Sequence, residues 1–281
     1  MRVGVVMFQR VVVPVDGSEV SLGAAIVGSR IAASVNGTLE LVEVADRTAT
    51  RALARVADST PHTTVVIDGG RRARPCALMH EFCGPLVVVG PRCDVDAEEA
   101  PAGTYVVALD GSIGDEGVIP VVAAWTVEFG GTPWLVDVIE RWSWRAPDIV
   151  DSAYVNHRAG RLRRRIGCDV EHETLHGDHP ARAIVEFAGD AAASLIFVGT
   201  DADNRLARRR RESLAAQIVR HARCPVVLLR LPTVKSKPLP VAKPVAAPAP
   251  PVWSRAWCEQ CGPDAVRLRR ARAGTPPTPR R

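Results

Sequence analysis

No stretch of this 281-residue chain is apolar for long enough to cross a bilayer, which takes about 20 residues. The amino terminus, MRVGVVMF, has one arginine and an apolar run that Gln9-Arg10 cuts short, too short for the core of a secretory signal. Met7 would serve equally as a start, because the first strand pattern begins only at Arg10 or Val11. Cytoplasm is the expected location. A disulfide framework is not expected from the cysteines, which stand at 76, 83, 93, 168, 224, 258 and 261, an odd number with no secretory signal. Cys258 and Cys261 have the spacing of half a structural zinc site, but such a site takes four ligands and no second pair is near. His172, His176 and His179 make no constellation either, since strand alternation puts only the first two on one face. No metal is therefore expected. No nucleophile stands in a pattern with a base, so no catalytic residue is assigned and the chain is not expected to be an enzyme, with slow ATP hydrolysis left open.

Positive charge is also scarce where it would matter. The net charge is +5, but residues 232–281 hold ten Lys+Arg against two Asp+Glu, which leaves −3 for residues 1–231. The body thus lacks the charge for a nucleic-acid partner, and only the tail has it. That tail, 232–281, contains 11 of the 22 prolines and includes KSKPLPVAKPVAAPAPP, a segment expected to be extended and disordered.

What the chain does have is repetition. Residues 10–18 read RVVVPVDGS and residues 105–112 read YVVALDGS; LVVVG at 86–90 matches LIFVG at 195–199. Two matches in the same order indicate an internal duplication. Apolar runs alternate with helical patterns in both copies, which implies parallel βαβ units. In the first, strands are expected at 11–15, 39–44, 64–67 and 86–89, with helices at 21–35, 48–57 and 75–82. In the second, strands are expected at 105–109, 134–139, 170–175, 195–198 and 225–229, with helices at 115–129 (Pro120 a blemish), 149–165, 180–192 and 212–222. Only 13 steps separate Gly90 from Gly103, against 30 from Gly199 to Leu229, so the first copy has no room after Gly90 for a further helix and strand.

The stretch SLIFVGTDADNRLARRRRESLAAQIVRHARCPVVLLR, 194–230, carries the most specific pattern. A glycine leaves a buried strand, a loop with five arginines follows, and a helix begins; in an open α/β sheet this is where phosphate binds. The stretch resembles the C-terminal half of a universal stress protein domain, in which a glycine, two residues, a glycine, nine residues and then Gly-Ser or Gly-Thr wrap the phosphates of ATP in nucleotide-binding members. The register matches without a gap: Gly199 takes the first place and Ser213 the last, while Ala202 and Glu212 stand where the second and third glycines belong.

The resemblance implies an α/β fold of two Rossmann-like units with open, mostly parallel sheets in the order 3-2-1-4-5. The first unit, 9–92, is expected to lack strand 5; 93–103 is a linker and 104–231 the complete unit. It also implies a nucleotide site built from Asp110 facing adenine, Val138 offering its backbone, and Gly199, Thr200, Ala202, Glu212, Ser213 and Leu214 around the phosphates. Asp16, Val44 and Gly90 are the weaker counterparts in the first unit. On the residues alone, each Asp-Gly-Ser also reads as a helix-start turn, and the arginine loop as a solvated one. A non-catalytic stress-response or regulatory module with a lost or weak nucleotide site is the expectation. An ATP- or AMP-binding sensor whose arginines replace the glycines, and an adaptor acting through the basic tail, are the alternatives. No cofactor is expected, ATP being the sole candidate. A protein partner is expected without being identified. With strand 5 absent from the first unit, strand 225–229 is expected to be a free edge, open to a homodimer.

Overall fold

The computed structural model describes residues 8–44, 63–69, 78, 82, 84–96, 100–110, 115–139, 149–201 and 213–231. All of them fall within one compact unit, Met1–Val234. The expected helix at 48–57, most of that at 75–82, Ala202, Glu212, the cysteine pair 258/261 and the tail lie outside the described residues.

Short valine-rich segments become strands because β-branched side chains suit a pleated surface buried on both faces. The first half contains β1 (Arg10–Val15), α1 (Glu19–Ser34), β2 (Thr38–Glu43), β3 (Thr63–Asp68) and β4 (Leu86–Val89). The second contains β5 (Thr104–Leu109), α2 (Asp115–Phe129), β6 (Thr132–Ile139), α3 (Ile149–Ile166), β7 (Glu171–His176), α4 (Pro180–Asp190), β8 (Ala193–Asp201), α5 (Leu214–His221) and β9 (Val226–Leu231). Pro120 lies inside α2 and is exposed, so the helix passes it on the solvent side. On α5 the buried residues are Ala215, Ile218 and Val219, followed by the buried C-cap Ala222, while Leu214 is exposed.

The nine strands form one sheet in the order β2-β1-β3-β4-β9-β8-β5-β6-β7. The second half has the expected order 3-2-1-4-5, with every pairing parallel. The first half departs from expectation. β3 lies beside β1, where the fourth strand of such a unit belongs, and β4 takes the fifth place. Among the described residues no strand lies outside β2, so among them the third place is unfilled and the fifth is taken by β4. Four valine-rich runs reveal how many strands exist but not which lateral place is empty, because LVVVG suits any buried strand.

The expected free edge at 225–229 is also absent. β9 pairs in parallel with β8 on one side and antiparallel with β4 on the other. Leu86 faces Leu228, Val87 faces Val227 and Val88 faces Val226, so the two fifth strands meet about a local dyad at Val87·Val227. A sequence signal for this exists: His80-Glu-Phe-Cys83-Gly-Pro85 repeats His221-Ala-Arg-Cys224-Pro225 with Gly84 inserted. That alignment equates Leu86-Val87 with Val226-Val227, the residues about which the dyad forms.

Helices cover both faces. One core joins α1, α2 and α3, with Phe8, Val13, Val87, Trp125, Phe197 and Val227 in one cluster. The other joins Leu78, Phe82, α4 and α5. The first core crosses between the halves: Phe8 meets Trp125 at 5.1 Å and Phe129 at 5.0 Å between ring centroids.

Candidate functional site

In the second half the chain reverses direction across the sheet between β5 and β8, which opens a crevice at their carboxyl ends. Ala108 pairs with Val198, so Asp110 and Thr200 leave the two strands at one level. This placement brings Asp110, Gly199 and Thr200 together, with Val138 one strand away on β6. Asp110 is exposed and Gly199, Thr200 and Val138 are half-buried.

Local bonding occupies several groups that a nucleotide would need. The Thr200 hydroxyl donates to the carbonyl of Leu229 at 3.3 Å. The Val138 N–H donates to Asp137 Oδ1 at 2.8 Å. Ser213 is the N-cap of α5, extended at φ −68° and ψ 153°, and its Oγ accepts from Ala216 N at 3.2 Å. A serine at this position removes one of the unpaired amides that make a helix N-terminus attract anions. Leu214 follows as the first helical residue. Glu212 immediately precedes the cap in sequence. The cradle's residues thus have the expected spacing, while the Thr200 hydroxyl and the Val138 and Ala216 amides are each already hydrogen-bonded within the protein.

Arg230 is a neighbour that sequence reasoning assigned no role. It pairs across the ladder with Thr200 and brings a cation to the rim of the crevice. Its position follows from the β8/β9 register, which no local pattern reveals.

The first half uses the corresponding residues differently. The Asp16 Oδ1 accepts from Ser18 N at 3.0 Å, Gly17 takes φ +78°, and Ser18 Oγ accepts from Ser21 N at 3.3 Å to cap α1. Positive φ is the reason a glycine stands at 17. Val44 extends the ladder, donating to Val15 O at 3.0 Å. Gly90 is not at the crevice. It ends β4, where a Cβ would overlap the carbonyl oxygen of Val219 on α5. With β4 equated to β9, the place of Gly199 is held by Asp68, and Gly69 too packs against Val219 and Val88.

Two thiols lie at the junction of the halves. Burial, reinforced by the Asp94 carboxylate, raises the Cys93 thiol to about 12. Burial, reinforced by Cys93, raises Cys224 to about 12. Asp94 N donates to Arg223 O at 2.8 Å and binds this connector to the turn before β9. A separate cleft of about 680 Å³ lies between α4 and α5, lined by Arg92, His179, Arg182, Glu186, His221 and Arg223. Its Arg182 and Glu186 pair at 2.7 Å. Among the described residues no group of three or more His, Cys, Asp or Glu is placed to hold a metal.

This is an open, doubly wound α/β sheet with a crevice at its switch point, the class in which nucleotide sites are common. Residues 103–230 match the model of the universal stress protein family. A universal stress protein from Archaeoglobus fulgidus DSM 4304 is similar in structure, with 14% identity over 81% of this chain and 99% of its own, at a TM-score of 0.54. A functionally unknown protein from Pseudomonas aeruginosa PAO1 has 13% identity over 80% of this chain and 94% of its own, at 0.51. A universal stress protein solved in complex with cAMP covers 47% of this chain and 98% of its own at 20% identity and a TM-score of 0.41. None of the curated proteins matches the chain significantly. No helix among the described residues is long and apolar enough to cross a membrane.

Proposed function

We propose that the chain is a non-catalytic stress-response module that works in the cytoplasm by binding a protein partner, and that its nucleotide site is lost or weak. In this reading 9–92 and 104–231 are its two halves and 93–103 their connector. The observation that carries it is the start of α5, where Ser213 caps its own helix directly after the carboxylate-bearing Glu212. Negative charge at a helix N-terminus stabilises the helix and repels a second anion. Ala202 adds to this, standing in sequence where the family pattern has a glycine that lets backbone approach phosphate. The five loop arginines supply attraction but no backbone room. In the first half, among the described residues, Asp68 holds the place of Gly199, and Gly69 and Gly90 pack against Val219.

Calorimetric titration of ATP, AMP and cyclic AMP into the whole chain, with and without Mg²⁺, is the test. The whole chain is required because the halves share one sheet. We expect no saturable binding in the micromolar range, and a gain of tenfold or more, worth about 1.4 kcal/mol, when Ala202 and Glu212 are both replaced by glycine. Saturable micromolar binding by the unaltered chain would replace this reading with that of an arginine-assisted nucleotide sensor.

A further inference from the structure

None of the residues that line the cleft between α4 and α5 belongs to the nucleotide cradle. Ala181 and Val185, one turn apart on α4, give it an apolar strip. The rest of its lining is mostly charged. Residues 1–231 are net negative at −3, yet this cleft gathers Arg92, Arg182 and Arg223 against Glu186 and Asp190, with two imidazoles, His179 and His221. Arg182 and Glu186 neutralise each other along α4. Among the described residues no carboxylate pairs with Arg92 or Arg223. Basic residues in the last turn of a helix complement its carbonyl end, which accounts for Arg220 and His221 on α5. It does not account for Arg92, which belongs to the turn after β4 and to neither helix. That turn reaches the cleft because Asp94 N donates to Arg223 O. The two arginines thus come from opposite halves of the chain, and only the β4/β9 junction brings them to one groove.

We propose that this groove is the surface on which the chain takes its protein partner, and that the occupant is an acidic, extended segment of that partner. The inference rests on the reading of the chain as a partner-binding module. The groove follows the 11 residues of α4. That is about 16 Å of helix, which an extended peptide covers in about five residues. Arginine suits carboxylates because its planar fork donates two parallel hydrogen bonds. Arg182 can add to them by exchanging Glu186 for an incoming acid, since an exposed ion pair is weakly held. The strip of Ala181 and Val185 offers contact to an apolar side chain between the acids. Charge also argues against other occupants. The chain's own tail, with ten Lys+Arg against two Asp+Glu, is repelled by the arginines. A nucleic acid would bring a continuous row of phosphates against Glu186, Asp190 and a body of net negative charge.

The test is the fluorescence anisotropy of a labelled peptide, Asp-Glu-Leu-Glu-Asp, titrated with the full chain at low salt, beside its uncharged counterpart Asn-Gln-Leu-Gln-Asn. Saturable binding of the acidic peptide alone is expected, weakening as salt is raised. The basic tail also carries charge for this peptide, so the decisive variants are in the groove. Arg92→Gln together with Arg223→Gln should weaken binding about tenfold. Asp190→Asn, which removes a like charge, should strengthen it about threefold, a gain the tail cannot produce. All three side chains are exposed, and Arg223 holds Asp94 through its backbone carbonyl, so the far-ultraviolet circular dichroism and the melting midpoint should not change. Absence of binding overturns the proposal. So does binding that the double variant leaves unchanged, which makes the tail the binder. So does a single-stranded RNA oligomer that binds more tightly than the peptide and is lost in the same double variant. The nucleotide titration is a separate outcome. If neither peptide nor nucleotide binds, the module reading stands with its partner surface elsewhere; micromolar ATP binding defeats that reading whatever the peptide does.

Discussion

Cys93 and Cys224 show how burial at single residues becomes a property of the folded state. In the folded chain their thiols hold protons to about 12, whereas an unburied thiol releases its proton near 9.0. Below pH 9 both states are protonated and the thiols have no effect on the balance. Between about 9 and 12 the unfolded chain loses these protons and the folded chain keeps them, so stability must fall as pH rises. We expect the melting midpoint of the wild type to drop more steeply over that interval than that of the Cys93→Ser, Cys224→Ser double variant. Parallel slopes would contradict the assignment. The same residues show what local sequence conceals. Nothing in PRCDV or HARCP announces that Asp94 N will bond Arg223 O; the two segments meet because β4 and β9 do. Glu212 and Ala202, in contrast, are legible at once, because the spacing from Gly199 to Ser213 is a one-dimensional property.

At the scale of elements, the contact of β4 with α5 depends on one absent side chain. A Cβ on Gly90 would overlap the Val219 carbonyl, and backbone yields less readily than a side-chain tip. Gly90→Ala should therefore destabilise by about 1–3 kcal/mol, the usual range for overpacking, in a denaturant titration. Gly189→Ala is the control, since nothing lies within 4 Å of a Cβ there and its φ is not positive. Equal midpoints would show that α5 shifts freely over β4. Element types were readable throughout the described residues, because burial on both faces demands apolar runs and helices demand their own spacing. The lateral place of β3 and β4 was not. Any buried parallel strand looks alike, and matching LVVVG to LIFVG paired a fifth strand with a fourth.

Over the whole molecule, the antiparallel β4/β9 pair and the Phe8–Trp125 contact make the two halves one folding unit. Residues 103–231 expressed alone would expose the β9 edge, whose Val226 to Leu229 are buried in the full chain. We expect that fragment to self-associate through β9, and the full chain to unfold in one transition followed by calorimetry. Two separated transitions, or a monomeric and soluble fragment, would show that the halves are independent. Composition and periodicity were sufficient for the α/β class, the duplication and the altered phosphate loop, since each depends on residues near one another along the chain. Which lateral places β3 and β4 take, and that the β9 edge is covered, depended on pairing between residues some 140 apart, Val87 with Val227. Backbone hydrogen bonds carry no side-chain identity, so edges of similar apolar strands are told apart only by how the folded sheet assembles.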